Sequence, residues 1–429
     1  MENLKREMYF MSKFKKICLG DYIMVKHGFA FSGEFFTMNP SKYVLTTPGN
    51  FKIGGGFQEL KNKYYIGHVD EEYILNKNDI IVTMTDLSKS GDTLGYSSLV
   101  PANNKYLHNQ RIGRICFKND NINKMFLYWL LRTPHYHNYI VSTATGSTVR
   151  HTAPKTIQAY ECYIPETKEE QQAIVDVLSS FDDKIELNNK IIRNLEEQVQ
   201  SLYKNWFIDF EFPNEEGKPY KSSGGKFKDS ELGLIPEKFN IKIIKDLSNC
   251  LLGGTPSRNN ESYWNGNIPW INSGKVNEFR IVEPSEYITK EGLDKSSTKL
   301  LKEKTIVIAI TGATLGQISI LEIEACANQS VVGIENTKDL PYEYLYCTLL
   351  NRIEELLSNQ TGGAQQHINK DNVENFKFIY NKNIVSTFQR LVTDYFDQQS
   401  SLIKENKKLE ETRDFLLQKL MNGEIKVGN

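Results

Sequence analysis

The chain has little of what marks chemistry, membranes or oxidation. Its six cysteines (Cys18, Cys116, Cys162, Cys250, Cys326, Cys347) are scattered over 429 residues, with no CxxC pair. That is the usage of a reducing cytoplasm, with buried thiols and no zinc site expected. No apolar run approaches the roughly 18 residues of a membrane span. The opening MENLKREMYFMSKFKK is basic but has no apolar core and no small-residue cleavage site, so it does not read as a signal peptide. A soluble, cytoplasmic protein with no membrane contact is expected. There is no Pro-Pro, hence no [NDS]-PP-[FYW] methyltransferase motif, and no GxxxxGK[ST], HExxH or GxSxG. His135 and His137 stand two apart, but without further ligands they read as surface residues. No catalytic residue and no metal ligand is nominated.

What the chain does have is a copy of itself. A long amphipathic helix pattern at 169–207 recurs 217 residues later. Ile174, Leu178, Ile185, Ile192 and Val199 map onto Leu391, Tyr395, Leu402, Leu409 and Leu416. Gln172, Asn189 and Lys190 map onto Gln389, Asn406 and Lys407. Each helix follows a block of mixed strand and turn signals. A duplicated unit of block plus helix implies a pseudo-two-fold molecule reading a pseudo-two-fold target, and duplex DNA is the leading candidate. The net charge of −1 conceals an uneven distribution. Residues 1–165 carry a net +7, as a phosphate-binding surface needs, whereas 166–211 carry −6. The acidic helix suits a spacer or a protein-binding face.

In the first helix, positions 174, 178, 181, 185, 188, 192, 195, 199, 202 and 206 form an unbroken 4-3 series, apolar except at Asn188. Ile174, Leu178, Phe181, Ile185, Ile192, Leu195 and Val199 are thus its coiled-coil seam, in a helix of about 57 Å. On the last helix, about 384–421, the apolar column Phe388, Tyr395, Leu402, Leu409 and Leu416 is expected to face it. Gln399, Asn406 and Arg413 form a more polar flank. The two helices are expected to pair antiparallel. Asp182, Asp183, Glu196 and Glu197 are expected to be exposed, away from the seam. Residues 212–236, rich in Gly, Pro, Ser and Lys, read as a linker. Strand-like DIIVTMT (79–85) matches TIVIAIT (305–311), and helix-like 124–132, stopped before Pro134, matches 341–357.

Three further features recur. TGSTVRH (145–151) matches TGGAQQH (361–367), keeping Thr, Gly and His while the tips differ. Arg150, Gln365 and Gln366 are therefore candidates for nucleic-acid contact, since Arg pairs with guanine, Gln with adenine, and either with phosphate. Asn109-Gln110 matches Asn328-Gln329, mainly a structural pair that caps a strand. TDLSKSGDTLG (85–95) matches TGATLG (311–316), and the longer first copy offers Ser88, Lys89 and Ser90 to a groove. Arg258, Asn259 and Asn260, after Gly253-Gly254-Thr255-Pro256, form one more candidate patch.

The order of these pieces resembles one family. A block is followed by EEQQAIVDVLSSFDDKIELNNKIIRNLEEQVQSLYKNWFIDFEFP and GKPYKSSGG. A second block then carries GGTPS, TGATLG, ANQS and TGGAQQHI, and the closing helix ends LLQKLMNGEI. This resembles the DNA-specificity subunit of type I restriction–modification systems (the HsdS family) over about residues 14–426. The resemblance implies an α+β protein: two similar α/β target-recognition domains separated by an antiparallel pair of long coiled-coil helices, pseudo-two-fold. The domains fall at 1–165 and 237–382, the helices at 166–211 and 383–426, the linker at 212–236. It also implies a non-catalytic subunit that reads a bipartite site in double-stranded DNA. Two methyltransferase subunits and the restriction/translocase subunits are its implied partners, and S-adenosylmethionine, ATP and Mg2+ are expected on those subunits, with no cofactor on this chain. The competing readings are a stand-alone DNA-modifying or cleaving enzyme, disfavoured by the missing cofactor motifs, and a purely structural coiled-coil adaptor, disfavoured by the size of the blocks.

Overall fold

The computed structural model describes residues 14–59, 62–358 and 367–427. The chain divides into two compact units, Met1–Lys184 with Leu409–Asn429, and Ile185–Lys408. Each holds one block and a part of both long helices, so the boundary runs through the helices and not through a linker.

In the first unit, Ile23–His27, Ile112–Phe117, Ile80–Thr83 and Ser97–Leu99 form a four-stranded sheet in that order. Ile80–Thr83 is an unbroken buried run, because both of its faces are covered. Ile80 and Val82 pack with Leu127 and Trp129, while Ile81 joins Val44, Phe51 and Tyr106. A second sheet orders Phe36–Thr37, Lys63–Tyr65, Tyr43–Leu45 and Tyr106–Leu107, the last pair parallel with Leu45 opposite Leu107. Asn123 caps the helix Lys124–Leu130 through the amides of Met125 and Phe126. The sequence pattern stops that helix before Pro134, correctly, but misses the helix Pro134–Ser142 that Pro134 opens. Proline cannot continue a helix, yet its fixed φ suits a first turn. His137 lies on this helix and is not a free surface residue. Its ring stacks on Tyr96 at 4.2 Å, and Nδ1 lies 3.0 Å from the Leu94 carbonyl. The block core runs on into Ile174, Val175 and Leu178 of the first long helix and Leu417, Leu420 and Met421 of the second.

The second unit repeats the plan. Cys250–Leu252, Val331–Ile334, Ile306–Ala309, Ile318–Leu321 and Arg280–Ile281 make one sheet. Glu286–Ile288, Trp264–Ile271, Ala325–Ala327 and Leu300–Leu301 make the other, again with one parallel pair, Ile271 opposite Ala327. Its core joins Val199, Tyr203, Trp206 and Phe207 to Tyr344, Phe388, Val392 and Phe396.

The long helices span Lys168–Tyr203, continued by a π-helical turn Lys204–Ile208, and Lys382–Met421. Of the 4-3 series on the first, Ile174, Leu178, Ile185, Asn188, Ile192, Leu195 and Val199 are buried, and Phe181 half-buried. The seam of the second differs from expectation. Leu402, Leu409 and Leu416 are only half-buried. The most buried column is the neighbouring one, Val385, Val392, Gln399, Asn406 and Leu420. Its polar members are buried because each finds a partner. Gln399 Nε2 donates to Glu196 Oε2 at 3.1 Å, and Asn188 Nδ2 donates to Asn406 Oδ1 at 2.8 Å. In the first unit Arg413 pairs with Asp182.

The pairing is antiparallel. In the second unit Asn188 meets Asn406, Glu196 meets Gln399 and Tyr203 meets Phe388. Asn188 also donates to Glu405 (2.9 Å) and Asn406 to Asn189 (3.0 Å), and both of these pairs are 217 residues apart. That is the repeat offset, so each residue touches its own copy, as happens only beside a local pseudo-two-fold axis. Two of the four acids expected to be exposed are engaged instead: Asp182 binds Arg132 and Arg413, and Glu196 accepts from Gln399 and Gln200. Asp183 and Glu197 are exposed.

Residues 212–236 are not a loose tether. Phe212, Tyr220 and Ile235 are buried in the core of the second unit, Phe212 stacks on Tyr220 at 4.6 Å, and Phe227–Lys228 pairs with Ile235–Pro236. Truncating Phe212, 2% exposed, to Ala should therefore cost about 3–5 kcal/mol in urea unfolding of this unit. A linker would lose nothing measurable.

Candidate nucleic-acid interface

Two of the three recurring motifs form one site in each block. In the first block, Thr85–Asp86 pairs antiparallel with Arg150–His151, with Arg150 opposite Asp86 and His151 opposite Thr85. Thr85 Oγ1 lies 3.2 Å from His151 Nδ1. In the second block Thr311 forms the matching bridge with His367. So in both blocks the threonine that opens the Thr-Leu-Gly loop pairs with the histidine that closes the second motif, remote in sequence. Gln365 and Gln366 lie outside the described residues.

The first-block loop is built around Asp86. One carboxylate oxygen accepts from the Ser88 amide at 2.7 Å, the other from the amide and hydroxyl of Thr93 at 2.6 Å each. Burial works against this charge, but the hydrogen bonds from Thr93 and Ser88 outweigh it and hold the carboxyl below the usual aspartate range. The Ser88 hydroxyl accepts from the amides of Gly91 (3.0 Å) and Asp92 (2.8 Å). Ser88 therefore builds the loop and does not face a ligand. Gly95 closes it at φ +82°, and a Cβ there would lie 2.8 Å from Ile140. Gly316 repeats this at φ +82°, 2.8 Å from Leu357. What the loop displays is Lys89, Ser90 and the tip Leu87, 70% exposed. Arg150 Nε donates to the Lys89 carbonyl at 3.0 Å, setting the guanidinium beside the lysine. Of the residues nominated here, Lys89, Ser90 and Arg150 form one basic, displayed cluster.

The Asn-Gln pairs follow the strands Tyr106–Leu107 and Ala325–Ala327, each of which makes the parallel pairing of its sheet. The chain crosses them at Gly28 and Gly253, where a Cβ would lie 2.3 Å from the Asn109 carbonyl and 2.1 Å from that of Asn328. Gln110 and Gln329 are exposed at those crossings. In the first block the crossing is lined by rings that sequence reasoning did not single out. Phe29 packs against Phe31 and Tyr73, and Phe31, Phe35 and Phe36 against Tyr65. The aromatic-dense HGFAFSGEFF at 27–36 was their signal.

The patch after Gly253-Gly254 is largely spoken for. Arg258 makes a bidentate pair with Glu286 at 2.6 and 2.7 Å and lies 3.5 Å over the Trp264 ring. The hydrogen bond from Arg258 holds Glu286 below the usual glutamate range. Asn260 caps the turn Glu261–Tyr263 through the Ser262 amide. Asn259 alone of the three is displayed without such a role. Among the described residues no group of three or more His, Cys, Asp or Glu is placed to hold a metal ion, and no helix is long and apolar enough to cross a membrane.

Two similar blocks, each with the same Thr–His pairing and each packed on its own part of an antiparallel helix pair, are what a family comparison then explains. The type I restriction modification DNA specificity domain model matches residues 11–197 and again 236–411. The chain belongs to that family. One relative is the type I restriction enzyme HindI specificity subunit of Haemophilus influenzae, 26% identical over 82% of this chain and 90% of the relative. Another is the MjaIX specificity subunit of Methanocaldococcus jannaschii, 28% identical over 80% and 78%. In fold, the chain is similar to the S subunit of a type I restriction–modification system from M. genitalium, with TM-score 0.55 and 17% identity over 95% and 96% of the two chains. The chain is thus a type I specificity subunit, and the family's domain occurs in it twice.

The loop hub yields a test. Asp86→Ala should speed hydrogen exchange at the amides of Ser88 and Thr93 while Ile80–Thr83 stays protected. In the wild-type chain the same loop should hold throughout the range above the ordinary aspartate pKa. It should loosen only as the pH falls through the lower, folded value of Asp86. Exchange at these amides that is indifferent to the substitution would remove Asp86 from its central role.

Proposed function

We propose that this specificity subunit reads a split site in duplex DNA, one half with each block, and that it does no chemistry itself. The observation that carries this is the pairing of a duplicated block with helices whose central residues touch their own copies. A pseudo-two-fold reader matches two separated half-sites. In the first block the cluster of Lys89, Ser90 and Arg150 is the contact element, with Lys89 and Arg150 on phosphate or base edges. Arg258 contributes less, because Glu286 already neutralises it. The exposed acids of the helix pair, Asp183 and Glu197 among them, offer a docking face for two methyltransferase subunits, which restriction/translocase subunits join. Those subunits would hold S-adenosylmethionine, ATP and Mg2+. Six free thiols support work in the reducing cytoplasm.

The test uses the chain assembled with its modification subunits and a duplex carrying its methylated motif. Inserting a few base pairs between the half-sites should weaken binding sharply, whereas indifference to the insertion sinks the split-site reading. The double change Lys89→Ala with Arg150→Ala should lower the slope of log affinity against log salt by roughly one to two. Arg258→Ala should leave that slope unchanged. The reverse pattern would place the contact element in the wrong block.

A further inference from the structure

Each block also reaches its helices through one buried arginine, and the two contacts coincide under the repeat. In the first unit the Arg132 side chain is 2% exposed. Its Nη1 lies 3.0 Å from Asp182 Oδ2 and 2.7 Å from the Tyr128 hydroxyl, and Nε lies 2.9 Å from the Gly54 carbonyl. The other Asp182 oxygen holds Arg413 of the second helix. In the second unit the Arg280 side chain is fully buried, with Nη1 2.6 Å from Glu322 Oε1 and Nη2 2.7 Å from Gln399 Oε1. Gln399 in turn donates to Glu196 of the first helix. Lys304 and Ser400 satisfy the remaining Glu322 oxygen.

Asp182 and Gln399 are copies of one position, and Arg413 and Glu196 are copies of another, each pair separated by the repeat offset of 217. The arginines are not copies. Arg132 follows the helix Lys124–Leu130, whereas Arg280 opens a strand at the edge of the larger sheet. Two arginines of different origin converge on one repeated helix position and its cross-helix partner. A packing detail inherited through duplication would have kept the same arginine. Buried ion pairs add little net stability over apolar contacts, because desolvation offsets the attraction. What a planar, multiply bonded guanidinium does supply is direction. Apolar cores hold each block on its helices, and the arginine leaves one angle open to it.

The geometry points to Arg132 and Arg280 as positioning residues that fix the orientation of each recognition block on the helices of its own unit, and so set the spacing at which the two half-sites are read. This rests on the split-site reading above. Spacing is sensitive to such an angle, since one added base pair moves a half-site by about 3.4 Å and about a tenth of a turn.

The experiment is selection from a random duplex library by the chain assembled with its modification subunits. The wild type should return two half-sites at one spacer length, with neighbouring lengths depleted by about tenfold or more. Arg280→Met and Arg132→Met, which leave Glu322 on Lys304 and Asp182 on Arg413, should each lower the melting temperature yet return the same half-site sequences with neighbouring spacers depleted by less than about threefold. Gln399→Met breaks the Arg280 contact from the helix side while Glu322 keeps the arginine paired, and it should loosen the spacer likewise even if Arg280→Met does not fold. Folded variants that keep the single native spacer, or that change the half-site sequences themselves, overturn the inference. A wild-type selection returning one uninterrupted pattern overturns the split-site reading and this inference together.

Discussion

The antiparallel contact between two long helices is the constraint on which the rest of the molecule depends. Both block cores continue into it, the first through Ile174, Leu178 and Leu417, the second through Val199, Tyr203 and Phe388. Its register is fixed by polar groups as much as by apolar ones. A slide by one heptad would leave Asn188, Asn406 and Gln399 buried without their partners, at a cost of about 1–3 kcal/mol for each unsatisfied group. Leucines alone would tolerate such slides better, because one apolar layer resembles the next.

The blocks solve a second problem, which is to vary what they display without changing how they fold. The fixed parts are backbone features: glycines at the two close crossings, a positive-φ glycine after each Thr-Leu, and the Thr–His bridge. The variable parts are side chains at the tips. The first block has Leu87, Lys89 and Ser90 on a loop that Asp86 draws tight, whereas the second has only Gly312-Ala313-Thr314 at the same place. Two blocks that share one frame can differ in what they display only through such a division between frame and tip.

How much was legible in the sequence follows from where partners lie. The first helix seam was legible because its residues are apolar and evenly spaced. The second was misread because Gln399, Asn406 and Arg413 look like surface residues until Glu196, Asn188 and Asp182, some two hundred residues upstream, are set against them. The stretch 212–236 was misread because Gly, Ser and Lys outnumber the aromatics Phe212, Tyr220 and Phe227 that anchor it. Ser88 and Asn260 were offered as contacts but turn inward, each accepting from amides two to four residues away. The pairing of the two recurring loops into one site needed the sheet register, which spacing alone does not provide.

Arg258 is a cation held in reserve. It is braced on two tryptophans and silenced by one partly exposed carboxylate, Glu286. Loss of that single acid would release a rigidly placed guanidinium beside the displayed Asn259, with no loop to rebuild and no core to repack. The second block therefore stands one nucleotide change away from an unpaired cation, already held in place, on its surface.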